Sequence, residues 1–217
     1  MRVERIVARK VTKRFGAVLA LRGVDAVFES GQVTVIRGAN GSGKSTLLAI
    51  LGTTVSPSSG ELSFEPLGES GGASVRAEIG WLGHDSLAYA DLTGRRNIEI
   101  AAELHGLDPA DAWRAAVERF ALGKFAERPV RTNSRGQRQR VALARALVHE
   151  PSVVLLDEPT TGLDAEGVQQ LEGVVRACAA DGAVVVVVTH DEGAFSGLSP
   201  RTLQMTRGTL AALPSPV

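Results

Sequence analysis

Three short stretches of the chain are almost free of polar positions: Val33-Thr34-Val35-Ile36, Val153-Val154-Leu155-Leu156 and Val184-Val185-Val186-Val187-Val188. Short runs rich in β-branched residues predict strands buried on both faces, as in a parallel sheet. Ile79-Gly80-Trp81-Leu82 predicts another strand, and a further one is expected near Leu62-Phe64. At the start of the chain, Val3 to Thr12 and Ala26 to Glu29 also read as strands, the latter joined to Val33–Ile36 by a Ser30-Gly31 turn that suits a hairpin. The pattern turns helical from Thr46 to Leu51, where Gly52 stops it, and again between Thr93 and Leu122. Within that second stretch Gly106 ends one helix, and Asp108 followed by Pro109 supplies an N-cap and first-turn pair for the next. Another helix carries Val141, Ala144, Ala146, Leu147 and Val148 on its apolar face and stops at Glu150-Pro151. Glu65 to Ala77 is rich in glycine and serine and reads as a surface loop, while Arg207-Gly208 reads as the turn of a last hairpin. This pattern predicts an α/β fold: a mostly parallel sheet, an antiparallel β-rich edge and a helical subdomain near residues 84–150.

At 217 residues the chain fits one domain, residues 1–217, and can bury most of its apolar surface. Basic and acidic residues balance at 24 each, so no global field draws the chain to nucleic acid or to an anionic membrane. Nucleic acid is not an expected partner. One cysteine, Cys178, excludes an internal disulfide and reads as a small core residue of a helix. Met1 is followed by a charged segment instead of an apolar secretory core. The longest apolar run, Ala183 to Val188, is far too short to span a bilayer, so membrane contact is expected only through another subunit.

Between the first buried strand and its helix lies Gly38-Ala39-Asn40-Gly41-Ser42-Gly43-Lys44-Ser45-Thr46. A glycine-rich turn leading into a helix can aim consecutive amides inward, and the helix N-terminus adds about half a positive charge towards an anion. This is a phosphate cradle, in which Lys44 reaches the β- and γ-phosphates and the Ser45 hydroxyl ligates Mg²⁺. The second buried strand ends in Asp157 and Glu158, and the third is followed by Thr189-His190-Asp191. Parallel strands aimed at one pocket deliver such residues to their C-terminal edge. Asp157 can hold the Mg²⁺ shell, Glu158 can orient or deprotonate an attacking water, and His190 can contact the γ-phosphate. Ser134 is a good N-cap, and the first turn behind it forms a second anion-binding helix terminus. The arginines from Arg131 to Arg140 admit other readings, a solvated face or a nucleic-acid patch, although no stacking aromatics are interleaved with them. Phe15, just past the first strand, either packs in the core or stacks on a nucleotide base.

Taken together, these residues resemble the nucleotide-binding subunit of an ABC transporter over nearly the full chain, which implies a P-loop ATPase fold. The resemblance assigns Gly38 to Thr46 as the phosphate loop, Asp157 as the magnesium-side carboxylate and Glu158 as the catalytic one. Ser134-Arg135-Gly136-Gln137 is similar to the signature loop, Leu163-Asp164 to the loop that pairs protomers, His190 to the switch histidine and Phe15 to the base-stacking aromatic. In this family two protomers face each other head to tail, and the signature loop of one closes on the γ-phosphate held by the other. The resemblance therefore implies ATP and Mg²⁺ as cofactors, a second copy of the chain and integral membrane subunits as partners, and a place at the cytoplasmic face of the membrane.

Two positions depart from the family pattern. Asn133-Ser134-Arg135-Gly136-Gln137 stands where Leu-Ser-Gly-Gly-Gln is usual, which keeps the serine and the second glycine. Gly83-His84-Asp85 stands where a glutamine is usual, which makes His84 the residue implied to touch Mg²⁺; the other reading has His84 facing solvent or a partner subunit. With the compact length, these departures resemble the ATPase subunit of the cytochrome c maturation haem exporter, and so imply haem as cargo. Small exporters of drugs, lipids or polysaccharides share much of the pattern. Soluble ATPases of this fold that act on DNA or ribosomes generally carry a long coiled-coil insertion or a second cassette, and neither is present. A partner that binds ATP without hydrolysing it is disfavoured by Glu158.

Overall fold

The chain opens with two long antiparallel strands, β1 (Arg5–Phe15) and β2 (Val18–Glu29), which form a hairpin through Gly16 and Ala17. The computed structural model describes residues 1–69, 71–83, 87–191 and 193–212. Next come β3 (Val33–Arg37), α1 (Lys44–Leu51), β4 (Ser59–Glu65), β5 (Gly68–Glu69), the short α2 (Ala73–Ala77) and β6 (Ile79–Leu82). Two helices, α3 (Gly94–Leu104) and α4 (Pro109–Arg119), precede α5 (Arg135–Leu147). They are followed by β7 (Val153–Asp157), α6 (Ala165–Ala180), β8 (Val184–Val188), β9 (Arg201–Thr206) and β10 (Thr209–Ala212).

The strands form two sheets. One is antiparallel, in the order β2-β1-β4-β5; the other has the order β10-β9-β3-β8-β7-β6. In the second sheet β9, β3, β8, β7 and β6 pair in parallel, and only β10 runs antiparallel to its neighbour. The period of two along each parallel strand divides its side chains between two cores. Val154 and Leu156 of β7, with Val185 and Val187 of β8, pack beside Val141 and Leu147 of α5 and Leu171 and Val175 of α6. Val153, Leu155, Val184 and Val186 face the other way, onto Leu47, Leu48 and Leu51 of α1 and Ile6, Leu21, Phe28 and Phe64 of the antiparallel sheet. Burial of one such side chain contributes roughly 1.5–3 kcal/mol, so both faces lock the register of the sheet. Cys178 lies in the first of these cores, on α6, as its alanine-rich setting predicts.

Two expectations from the sequence change. Ser30-Gly31 does not close a hairpin: β2 and β3 belong to different sheets, and β3 pairs in parallel with β8 and β9. A strand as apolar as Val33–Ile36 gains more from burial inside the parallel sheet than at the edge of a two-stranded ribbon. The described residues of Glu65 to Ala77 also form more than a plain loop, since Gly68 and Glu69 pair with Phe64 and Ser63, and α2 buries Val75.

Asp108 caps α4 and accepts a hydrogen bond from the Asp111 amide, with Pro109 in the first turn. Past the ends of α3 and α5, His105 and His149 stack with ring centroids 3.7 Å apart and planes 8° from parallel. Burial, and then the neighbouring His105, lower the His149 imidazole to a pKa of about 4.

Candidate nucleotide site

The parallel pairing of β3 with β9, of β3 with β8 and of β8 with β7 brings four C-terminal strand ends to one edge of the sheet. The edge carries the loop after β3, the carboxylates at the end of β7, Thr189 and His190 after β8, and Arg207 after β9. These elements enclose a cavity of about 610 Å³. Asn40, Gly41, Gly43, Lys44, Ser45 and Thr46 line its floor, with Asp157, Glu158, Thr161 and His190 on one wall. Val18, Leu19, Ala20, Arg22, Arg207 and Gly208 line the rest.

The floor is built to receive an anion. α1 begins at Lys44 with Gly43 as its N-cap, and no side chain caps it. Among the described residues, the amides of Gly43, Lys44, Ser45 and Thr46 have no backbone acceptor. Gly43, Lys44 and Thr46 are buried or half-buried, and donors there without acceptors are costly unless an external group satisfies them. The Lys44 ammonium is buried and donates to the carbonyl oxygens of Gly38 (2.7 Å) and Ala39 (3.1 Å), so the loop wraps its own cation. Gly43, at φ 111°, must be glycine for a second reason: a Cβ there would stand 2.8 Å from the Ala20 carbonyl oxygen of β2. Gly38, Ala39 and Ser42 do not line the cavity; they back the loop, and Ser42 is itself buried.

On the wall, Asp157 is buried at the end of β7. Glu158 stands one residue beyond the strand at φ 48°, a left-handed conformation that costs roughly 1–2 kcal/mol for a residue with a side chain. Its amide still donates to the Val188 carbonyl at 2.8 Å, which fixes the turn to β8. Across that turn, His190 Nδ1 and Glu158 Oε2 lie 2.8 Å apart, and the His190 amide donates to the same oxygen at 3.3 Å. With the proton on Nδ1, the imidazole donates to the carboxylate and holds it at the rim of the cavity.

A second cavity, of about 320 Å³, is lined by Ser134, Arg135, Gly136, Gln137, Gly162, Leu163, Asp164 and neighbours, and shares no lining residue with the first. Ser134 caps α5 in a reciprocal arrangement: its hydroxyl accepts from the Gln137 amide (3.3 Å), and the Gln137 side chain accepts from the Ser134 amide (3.0 Å). The Arg135 side chain lies against Gly162. Asp164 caps α6 and accepts from the Gly167 amide at 2.8 Å. Gln139 Nε2 donates to the Pro159 carbonyl at 3.0 Å, which ties α5 to the loop that follows Glu158.

Of the residues that the sequence points to, the structure thus gathers Asn40, Gly41, Gly43 to Thr46, Asp157, Glu158 and His190 in one cavity and places Ser134, Gly136, Gln137 and Asp164 in another. Phe15 is the last residue of β1, half exposed, with Lys13 Nζ 5.0 Å from its ring centroid. It does not line the cavity, although its cross-strand partner Val18 does. His84 lies outside the described residues. The sequence reading missed the β2 wall, where Val18, Ala20 and Arg22 share one strand face by their spacing of two, together with Thr161 and Arg207.

The comparisons with known proteins agree with this geometry. Residues 21–161 match the ABC transporter family. A cytochrome c biogenesis ATP-binding export protein of Cupriavidus metallidurans is 34% identical over 198 residues, spanning 88% of this chain and 94% of the relative. A daunorubicin resistance ATP-binding protein of Streptomyces coeruleorubidus is 38% identical over 183 residues, 82% of this chain and 58% of the relative. A dimeric structure of a bacterial ABC transporter cassette superposes with a TM-score of 0.85 at 28% identity, over 97% of this chain and 99% of the cassette. The α/β P-loop fold, the uncapped glycine-rich helix terminus and these likenesses together place the chain in the ABC transporter family, as an ATP-binding subunit of the ATP-hydrolysing kind.

Proposed function

We propose that this chain pairs with a second copy of itself over two ATP molecules and that hydrolysis drives a separate membrane subunit. The observation that carries this reading is the separation of the two cavities. The phosphate loop and Glu158 line one, Ser134 and Gly136 line the other, and no residue lines both. A nucleotide in the first cavity therefore meets the Ser134 helix of another copy, and the dimeric cassette of similar fold supports that arrangement.

In this reading the acceptor-free amides of Gly43 to Thr46, with Lys44, hold the β- and γ-phosphates while Gly38 and Ala39 hold Lys44 in place. The Ser45 hydroxyl and the Asp157 carboxylate are oxygen donors lining the same cavity, a set that suits Mg²⁺, which when bound neutralises charge on the phosphate oxygens. His84 is assigned to that shell as well. Glu158, held by His190, accepts the proton of the attacking water, and Ser134, Gly136 and Gln137 of the partner copy, beside Asp164, close over the γ-phosphate. Phe15 stacks on the adenine beside Val18.

No helix among the described residues is long and apolar enough to cross a membrane, so we assign the chain a peripheral place on the cytoplasmic face, held by its membrane subunits. Haem for cytochrome c maturation is the cargo we assign, supported by the export relative of matching length and by the Gly83-His84 and Ser134-Arg135-Gly136 variants. A second reading, drug export, rests on the daunorubicin resistance relative. The test is to tag the chain in its host, solubilise membranes gently and identify what copurifies. A polytopic membrane protein, with loss of c-type cytochromes on deletion of the gene, is the expected result. Ribosomes, nucleic acid or no partner at all would contradict it.

A further inference from the structure

Two guanidinium groups on the wall of the first cavity have no role in the account so far. Arg22 follows Val18 and Ala20 on the cavity face of β2, and Arg207 occupies the turn between β9 and β10. Both are exposed, and among the described residues neither side chain has a hydrogen bond or an ion pair. Their backbones, in contrast, are fixed to the phosphate loop. The Gly208 amide donates to the Ser42 carbonyl and the Arg22 amide to the Gly208 carbonyl, each at 2.8 Å. Gly208 approaches so closely that a Cβ there would lie 2.6 Å from the Ala20 carbonyl oxygen, the same atom that crowds Gly43. The stem of Arg22 lies over Gly208, 3.2 Å from that Cβ position. Two unpaired cations are thus rooted, through rigid backbone, two residues before the start of α1.

Charge decides what they are for. Without them Lys44 is the one lysine or arginine among the residues lining the cavity, set at the α1 end of a site proposed for a polyphosphate. With them, three cations face two carboxylates. We infer that Arg22 and Arg207 form a second cationic contact for the bound nucleotide, directed at the α- and β-phosphates from the β2 side of the cavity and away from the γ-phosphate end at Glu158 and His190. The inference rests on the nucleotide-binding reading of this cavity. Guanidinium forks pair well with phosphate oxygens, and positions on the wall that serve phosphates common to ATP and ADP set affinity for both.

The experiment measures binding of Mg·ADP and Mg·ATP to the full chain and to Arg22→Gln, Arg207→Asn and the double variant. Asn is chosen because Arg207 has φ 48°, which Asn tolerates better than most residues. Each single variant is expected to weaken both nucleotides about threefold, and the double variant about tenfold, with a shallower dependence on salt. Thermal unfolding without nucleotide reports whether the variants are folded, and Arg207→Lys should recover part of the loss in either case. Affinities within twofold of wild type in a folded double variant overturn the inference. So does a loss confined to ATP, which would move the pair to the γ-phosphate end. Failure of the wild-type chain to bind either nucleotide would instead overturn the reading of the cavity on which the inference rests.

Discussion

The N-termini of α1 and α5 are both directed at phosphate in the proposed dimer, yet they are built in opposite ways. α5 is satisfied from within: Ser134 and Gln137 cap one another across the first turn. α1 has Gly43 at the cap and no side chain to accept from its first amides. α3, α4 and α6 are also capped, by Thr93, Asp108 and Asp164, so among the described helices of eight residues or more α1 is the exception. A helix end left uncapped beside a buried lysine has amide donors that suit an anion, whereas a capped one is stable alone and can present its hydroxyl to a passing ligand. In the proposed dimer, therefore, the nucleotide is held at α1, and α5 is the part that arrives.

The largest effect that tests this contrast is Lys44→Ala. Removing the one cation that the loop wraps should weaken ATP binding and lower hydrolysis to background, a fall on the order of 10²- to 10³-fold or more in a steady-state phosphate-release assay. Unchanged activity would mean that α1 is not the holding site. Glu158→Gln comes next, because it keeps shape and a hydrogen-bonding group beside His190 but removes the base. Turnover should fall on the order of 10²-fold or more while ATP still binds, and ATP should trap a dimer visible by light scattering.

A smaller effect separates the two helix ends. Ser134→Ala should cost about 1 kcal/mol of stability and lower the melting temperature by a few degrees, through the lost cap. ADP should still stabilise this variant as much as wild type, since the proposal seats ADP at α1. Loss of the ADP effect would show that the two termini are not separate sites.

The last effect lies away from both. His149 titrates near 4 in the fold and near the ordinary 6.5 when unfolded, so the unfolded chain binds the extra proton in that window. Stability is then full above about pH 6.5 and falls as pH drops towards 4, by about 1–2 kcal/mol between pH 7 and 5 for this group alone. Urea unfolding of His149→Gln should show a flatter acid limb. A limb identical to wild type would remove His149 as its cause.

The α1 end was legible in the sequence because glycine spacing, a buried strand and an apolar helix coincide within Val33–Leu51. Ser134 was legible too as the N-cap of α5, while the reciprocal hydrogen bond from its amide to the Gln137 side chain came from the structure. The wall of the cavity was not. β1 and β2 are long but carry many polar residues, and their pairing is broken by register shifts at Ala8/Val11, Val11/Thr12 and Lys13/Arg14. Period-two reading therefore caught only fragments, Val3–Thr12 and Ala26–Glu29, and left Val18, Ala20 and Arg22 without an element. Arg207 was read as a hairpin turn, which it is, but nothing local tells that β9 runs parallel to β3 and brings that turn to the phosphate loop. Such placement depends on strand order, which is a long-range property of the sheet.

The central claim, that one copy holds the nucleotide and the other closes on it, is tested most directly by mixing two inactive variants. Ser134→Arg blocks the arriving helix by bulk and by loss of the cap, and Lys44→Ala disables the holding loop. In a mixed dimer one site carries both defects and the other carries neither. The account predicts that ATPase activity returns on mixing, in proportion to the mixed dimer measured by differential tagging. Mixed dimers that form and stay inactive would contradict it.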